Sequence, residues 1–268
     1  MPELPEVETI RRQMTSELAG KKIRKIVIRF SGRIRPSAGA LALALNGADI
    51  LSIKRRAKLL ILNFSGGWTL VTHLKMTGKF LLKPRGALPG NHTHVIFQLS
   101  NAQDLWFDDV RKFGYLKLVR TEDLESEIIG PERYGPEPLE PTFTEKLFGN
   151  CLASRGKKKI KPLLMDQTCV AGIGNIYADE ACFRAGIRPT RRVNSLSLKE
   201  FKALYRGILG ALKDSLKYHG ASASDYLDLY GKKGQTVQHL FVYGRKQCRR
   251  CRGALKKIRL GSRSAHFC

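Results

Sequence analysis

The sequence is short of acid. It holds 23 aspartates and glutamates against 48 lysines and arginines, a formal charge of +25, and a field of that sign on a folded chain points to a polyanionic partner, with nucleic acid foremost. It has no run of about 18 apolar residues and no lipidation motif, so no membrane is expected to use that charge. Cysteine is also sparse. Six in 268 residues do not make a disulfide scaffold, and in a reducing compartment they are read as metal ligands or core residues. The opening Met1-Pro2-Glu3-Leu4-Pro5-Glu6 lacks the basic and then apolar pattern of a secretory signal, so cytoplasmic residence is expected. Disorder is excluded by the 43% apolar content. At roughly 150 residues per domain the length suggests one large domain or two modest ones, and no internal repeat is visible.

β-rich alternation fills the first half and helical periodicity the second. Pro5 suits a first helical position, Glu6 and Glu8 a first turn, and Val7, Ile10, Met14 and Leu18 recur at helical spacing until Gly20. Segments 22–30, 50–64, 68–82, 94–99 and 105–119 read as strands of an antiparallel β-sandwich. Residues 130–141, with four prolines and two glycines, read as a linker. Helices are expected over 142–152, 160–167 and 176–185, with Gly172-Ile173-Gly174-Asn175 as a tight turn. Another starts at Ser197, where Ser197 and Glu200 form a capping box, and runs toward Gly220. The polar stretch 222–235 reads as a mobile surface loop. The predicted organisation is α+β: residues 1–129 a sandwich with an N-terminal helix, 130–141 a linker, 142–240 a helical domain, and 241–268 a hairpin.

That hairpin carries Cys248-Arg249-Arg250-Cys251 and, sixteen residues further, Cys268, a spacing that suggests zinc. A four-cysteine ribbon places its fourth ligand at about position 271. His266, the C-terminal carboxylate or a water is left to complete the tetrahedron, or the natural chain continues, or no metal binds. Cys151, Cys169 and Cys182 lie in apolar stretches and read as core. Lys157-Lys158-Lys159 before a helix and Asn175 at a glycine-flanked turn suit phosphate contact. At the other end, removal of the initiator methionine would leave Pro2 with a free secondary amine, a nucleophile able to form an iminium with an aldehyde-like carbon. Glu3 beside it is placed to act as acid or base. Without support from elsewhere, an N-terminal Pro-Glu is usually a frayed end.

The support is a resemblance. Met1-Pro2-Glu3-Leu4-Pro5-Glu6-Val7-Glu8-Thr9, Arg55-Arg56-Ala57-Lys58, His73-Leu74-Lys75-Met76-Thr77-Gly78, His92-Thr93-His94, Asp109-Val110-Arg111-Lys112-Phe113-Gly114, Gly135-Pro136-Glu137-Pro138-Leu139, the run from Lys161-Pro162 to Asp166-Gln167, the run from Ala171 to Glu180, and Val242-Tyr243-Gly244-Arg245 follow one another in order. Together they resemble the bacterial formamidopyrimidine-DNA glycosylases. The resemblance implies a helix-two-turn-helix domain, a C-terminal zinc-finger hairpin, and a monomer clamping double-stranded DNA with oxidised bases between two domains. It also implies excision of oxidised purines coupled to strand scission. Pro2 would attack C1′, Glu3 would act as acid and base, and Lys58, read as a strand lysine, would assist protonation and hold a phosphate. Arg263 would reach the lesion phosphate. His73, His92, Arg111, Lys157 and Asn175 match DNA-contacting positions, and Met76, Arg111 and Phe113 match side chains that fill the space left by an extruded base. Cys248, Cys251 and Cys268 match three of the family's zinc ligands. The segment before Cys248 is shorter than usual, the fourth cysteine is missing, and Lys75 stands where glycine is frequent. A sibling family acting on oxidised pyrimidines shares the Pro-Glu start but typically has glycine at the position of Leu4. A non-catalytic, damage-binding zinc protein is the remaining alternative.

Overall fold

The computed structural model describes residues 1–223 and 225–268; Ser224, within the stretch expected to be a surface loop, lies outside the described residues. The described chain forms two compact units, Met1–Pro131 with His219–Gln235, and Glu132–Tyr218 with Thr236–Cys268.

In the first unit, helix α1 (Leu4–Leu18) is capped by Glu3, whose N–H donates to Glu6 Oε2 at 2.8 Å. Val7, Ile10, Met14 and Leu18 point from it into the core. Strands β1 (Ile23–Ile28) and β2 (Ile34–Arg35) and helix α2 (Ala38–Leu45) follow. Helix α2, capped by Ser37, falls in a stretch that the sequence left unassigned. The three longest expected strands each prove to be two. Segment 50–64 is β3 (Ile50–Arg56) and β4 (Leu59–Phe64), 68–82 is β5 (Trp68–His73) and β6 (Gly78–Pro84), and 105–119 falls into β8 (Gln103–Asp109) and β9 (Tyr115–Arg120), with β7 (Thr93–Leu99) before them. One sheet has the order β1-β7-β8-β6, the other β2-β9-β5-β4-β3. All pairings in them are antiparallel save the two-residue parallel bridge of β2 with β9. Phe80, Phe97, Leu99 and Phe107 of the first sheet and Leu60, Leu62, Phe64 and Leu118 of the second share one core. That is the expected sandwich.

The described residues of 222–235, expected as a mobile surface loop, are instead anchored together with the residues just before them. Tyr226 and Leu229 join the sandwich core, Ala221 N–H donates to Glu6 Oε1 at 2.7 Å, and Gln13 binds both Asp228 Oδ2 (2.9 Å) and Leu229 N–H (3.0 Å). Two backbone N–H groups, of Ala221 and Leu229, and the Asp228 carboxylate thus satisfy side chains of α1. Gly220, at φ +86°, packs on Glu6 so closely that a Cβ would lie 2.9 Å from Glu6 Cγ.

The second unit begins in the one-turn helix α3 (Gly130–Glu132) and contains α4 (Glu145–Ala153), α5 (Ile160–Leu164), α6 (Asn175–Ala185), α7 (Leu198–Lys217) and α8 (Thr236–His239). Helix α7 carries the expected Ser197–Glu200 capping box, and α6 ends on Gly186 in the left-handed conformation, as a helix-stopping glycine should. Helix α5 stops at Leu164, three residues short of its expected end, where Asp166 turns back to accept the N–H of Thr168. Strands β10 (Lys256–Leu260) and β11 (Arg263–Phe267) form a hairpin with a two-residue turn. Cys151 and Cys169, expected as separate core residues, are joined in a disulfide; α4 brings them to a Cα separation of 5.5 Å. Cys182 remains a buried free thiol.

Candidate active site and nucleic-acid interface

Pro2 and Glu3 are buried, Glu3 to 3% exposure. The amino end is therefore held, and Glu6 is what holds it: its two carboxylate oxygens accept the N–H of Glu3 and that of Ala221. Two residues on, Glu8 binds Arg11, Arg12 and Arg55. Burial pushes the Glu8 carboxyl up, but the three guanidinium groups outweigh it and bring it down to about 2. Arg55 in turn donates to the carbonyl of Ala57 at 3.0 Å.

Ala57 and Lys58 form the tight turn between β3 and β4, so Lys58 is a turn residue and not, as expected, a strand residue. Ala57 sits at φ +52°, and the Lys58 side chain is turned inward, at 7% exposure. His73 ends β5. Its Nδ1 accepts the N–H of Lys75 at 2.9 Å. Burial first, then the charges of Lys75 and Lys58, depress its pKa to about 3. At neutral pH the ring is therefore neutral, and because Nδ1 is an acceptor the proton resides on Nε2, as a donor.

Two further turns gather on one carboxylate. Asp109, fully buried, accepts the hydroxyl of Thr77 in a short hydrogen bond, the N–H of Gly114 at 2.7 Å and that of Arg111 at 3.2 Å. Thr77 follows Met76 in the β5–β6 turn, and 110–114 is the β8–β9 loop. Asp109 thus fixes both segments that carry Met76, Arg111 and Phe113. The Arg111 guanidinium lies 4.7 Å from the centroid of the exposed Phe113 ring. Met76 is half-buried and His92 is exposed. Gly78 closes the Met76 turn so tightly that a Cβ would meet the Leu74 carbonyl oxygen at 2.5 Å.

In the second unit Lys157 is exposed after α4, and Asn175 opens α6 behind Gly172, at φ +87°, and Gly174. The turn before Asn175 is tied by Gln167, whose amide donates to the Ile173 carbonyl and accepts the Gly172 N–H, both at 2.8 Å. Asn175 Nδ2 lies 3.5 Å from the Tyr243 hydroxyl, while its Oδ1 is buried and unpaired in the structure. Arg263 projects, exposed, from the first position of β11. Its hairpin is anchored from below by an ionic cluster that composition gave no hint of. Lys161, 1% exposed, binds Asp179 at 2.7 Å and the Ser264 carbonyl, and Asp179 also binds the N–H and Nδ1 of His266, both at 3.0 Å. Burial pushes the Asp179 carboxyl up, and Lys161 and His266 offset this only in part. Glu180 accepts three successive N–H groups, from Phe241, Val242 and Tyr243, at 2.8–3.0 Å. Lys161, Asp179 and Glu180 fall within the family runs quoted above, but sequence patterning marks them only as charged residues interrupting otherwise apolar helical faces.

The Sγ atoms of Cys248, Cys251 and Cys268 lie within 4.8 Å of one another, and those of Cys251 and Cys268 are 3.5 Å apart. Three converging thiols supply three of the four donors of a structural zinc ion. His266, weighed above as a further ligand, is engaged by Asp179 instead. No helix among the described residues is long and apolar enough to cross a membrane.

Comparison with known proteins points in one direction for both units. A family model described as the formamidopyrimidine-DNA glycosylase N-terminal domain matches residues 1–116, and one described as the H2TH domain of the same enzyme matches 134–226. The formamidopyrimidine-DNA glycosylase of Desulfitobacterium hafniense is 44% identical over 272 residues, covering 100% of this chain and 98% of its own, and that of Lactiplantibacillus plantarum is 40% identical over 270 residues with the same coverage. Among solved structures, Lactococcus lactis Fpg in complex with DNA containing an abasic site superposes with a TM-score of 0.92 at 36% identity, covering 99% of this chain and 97% of that one.

Proposed function

The chain belongs to the formamidopyrimidine-DNA glycosylase family, and we propose that it excises oxidised purines from duplex DNA and then cleaves the strand, with Pro2 as the nucleophile. Once Met1 is removed, the Pro2 secondary amine attacks C1′ of the damaged nucleotide. The bond from C1′ to the base breaks, and the base leaves with a proton. What remains is an aminal at C1′; the amine gives up its proton, its lone pair expels O4′, which takes up a proton as the sugar ring opens, and the resulting iminium carries a fixed positive charge, an electron sink that makes loss of the 3′ phosphate and then the 5′ phosphate feasible by β,δ-elimination. Glu3 serves as acid and base in these transfers, and Lys58 supplies a proton or steadies a phosphate. The observation that carries this reading is the burial and anchoring of Pro2 and Glu3 by Glu6, where a frayed end would be the ordinary state.

His92, Arg111, Lys157, Asn175 and Arg263 are assigned to phosphates, and neutral His73 joins them as a hydrogen-bond donor from Nε2. Met76, Arg111 and Phe113 replace the extruded base. Cys248, Cys251 and Cys268 would hold a zinc ion, whose contribution is to stiffen the hairpin that carries Arg263. The protein is assigned to the bacterial cytoplasm as a monomer.

Borohydride reduction during reaction with an 8-oxoguanine duplex tests the central claim. A covalent adduct mapping to Pro2, and lost in Pro2→Gly, is expected. An adduct on an internal lysine with Pro2 unlabelled would overturn the assignment. Preferential cleavage of a thymine glycol duplex would move the substrate to oxidised pyrimidines, and failure to trap any adduct would favour a damage-binding protein.

A further inference from the structure

We propose that Cys151 and Cys169 are an oxidation-sensitive clip, closed by hydrogen peroxide, that fixes the turn leading to Asn175. The bond itself and its separation of 18 residues are given by the fold: Cys151 lies in the last turn of α4, Cys169 at 0% exposure in the turn before α6, and their Cα atoms stand 5.5 Å apart, a spacing typical of disulfides. What makes the pair reactive is Arg155. Its Nη1 lies 2.9 Å from Cys151 Sγ and its Nη2 donates to the Thr168 hydroxyl at 2.9 Å, so a guanidinium bridges the two halves of the clip and stabilises a thiolate on the half-buried Cys151. Cys182 offers a contrast, because burial drives its thiol pKa well up, with the charge of Asp179 adding to it.

The chemistry balances with peroxide as the two-electron oxidant. The Cys151 thiolate attacks one peroxide oxygen, the O–O bond breaks, and with one proton taken up the products are a sulfenic acid on Cys151 and water. The Cys169 thiol then attacks that sulfur and a second water leaves, so two thiols have been oxidised and one peroxide reduced. A dithiol reductant reverses the bond by exchange.

The clip acts on a segment with no slack. Cys169 follows Thr168 and Gln167, the residue that ties the turn to Gly172 and Ile173, and Gly135 packs so closely that a Cβ there would lie 2.6 Å from the Cys169 carbonyl. The enclosed stretch also contains Lys157. Closure therefore restrains both Lys157 and the approach to Asn175, and the effect on DNA binding rests on the role proposed for those two residues.

The test uses the full-length protein, reduced, freed of reductant, exposed to hydrogen peroxide and alkylated before peptide mass spectrometry. A Cys151–Cys169 linked peptide is expected, with Cys182 still a thiol. Arg155→Ala should form the same link several-fold more slowly, because the smaller thiolate fraction is only partly offset by a more nucleophilic thiolate. Oxidised protein should unfold at a temperature higher by roughly 5 °C or more than reduced protein, and Cys151→Ser should show no such difference. Alkylation of Cys151 and Cys169 to the same extent before and after peroxide overturns the clip, as does an equal thermal shift in Cys151→Ser. If the clip closes while binding to an abasic-site duplex is the same in both redox states, the coupling to Asn175 is wrong, whereas an absence of DNA binding in both states counts against the proposed function and not against the clip.

Discussion

Single carboxylates decide much of the candidate site. Asp109 accepts from three donors on two different turns, and a buried anion in that position stabilises them only while all three are present. Asp109→Ala should cost about 3 kcal/mol in denaturant unfolding and loosen the Met76 and Arg111 turns together, whereas Met76→Ala alone should leave stability nearly unchanged. Met76→Ala should weaken excision from a fully paired duplex more than from a substrate whose lesion is already unstacked, since extrusion costs a few kcal/mol. Equal losses on the two substrates would make Met76 an ordinary packing residue. His73 gives a pH signature. Its folded pKa of about 3 lies below its ordinary 6.5, so the unfolded chain binds the proton first. The stability this represents is present above pH 6.5 and is lost as pH falls toward 3, with a slope of at most about 1.4 kcal/mol per pH unit, reduced because the ring is only half-buried. Glu8, down at about 2 from 4.5, loses its share only at lower pH. His73→Gln should thus flatten the stability profile between pH 6.5 and pH 4.5 and leave the more acidic limb, as denaturant midpoints would report.

At the scale of elements, the capped and periodic helices were legible, whereas α2 and the turns buried inside apolar runs were not. Helix α7 announced itself through Ser197, Glu200 and its apolar stripe, and α1 through Pro5 and its buried periodicity, because caps and periodicity are local properties of the chain. The β3–β4, β5–β6 and β8–β9 turns were invisible inside apolar runs. Each contains a non-glycine residue at positive φ, namely Ala57 (+52°), Lys75 (+51°) and Lys112 (+55°), and none has the Asn-Gly or Asp-Gly chemistry that marks hairpins. These are the same three turns that carry Lys58, Met76, Arg111 and Phe113, so the family motifs identified the residues while sequence patterning missed the structures presenting them. The same conformation explains why glycine is frequent where Lys75 stands. Lys75→Gly should stabilise the protein by up to about 1 kcal/mol, since relief of left-handed strain outweighs the added backbone entropy; a shift of the urea midpoint to lower concentration would contradict this. Asp179, Lys161 and His266 escaped for another reason. They meet only in the tertiary fold, from α5, α6 and β11.

For the molecule as a whole, charge should govern how strongly DNA is held. Among the contacts proposed above, Lys58, Arg111, Lys157 and Arg263 are the lysines and arginines, His73 is neutral, Asn175 is uncharged, and His92 is a further hydrogen-bonding contact left out of the charge count. Four phosphates neutralised in B-DNA correspond to a slope of roughly −3 to −4 in log affinity against log salt. The remainder of the +25 charge can only steepen it. Titrating duplex binding from about 50 to 200 mM salt should give at least that slope, and a value near zero would remove phosphate contact from the account. Replacing His73 by Gln should weaken binding without altering the slope, which separates a neutral donor from a cation.

The return of His219–Gln235 to the first unit sets an order of events during synthesis. The ribosome completes the sandwich strands by Arg120, yet Glu6 and Gln13 wait for partners encoded about 100 residues later, which at roughly 5–20 residues per second is a delay of about 5–20 s. Meanwhile the intervening helical unit emerges. A nascent chain stalled after Pro131 should therefore be cut readily by protease near α1, and one stalled far enough past Gln235 for that residue to clear the exit tunnel should resist. Equal resistance at both lengths would mean that the sandwich closes without its late-arriving segment.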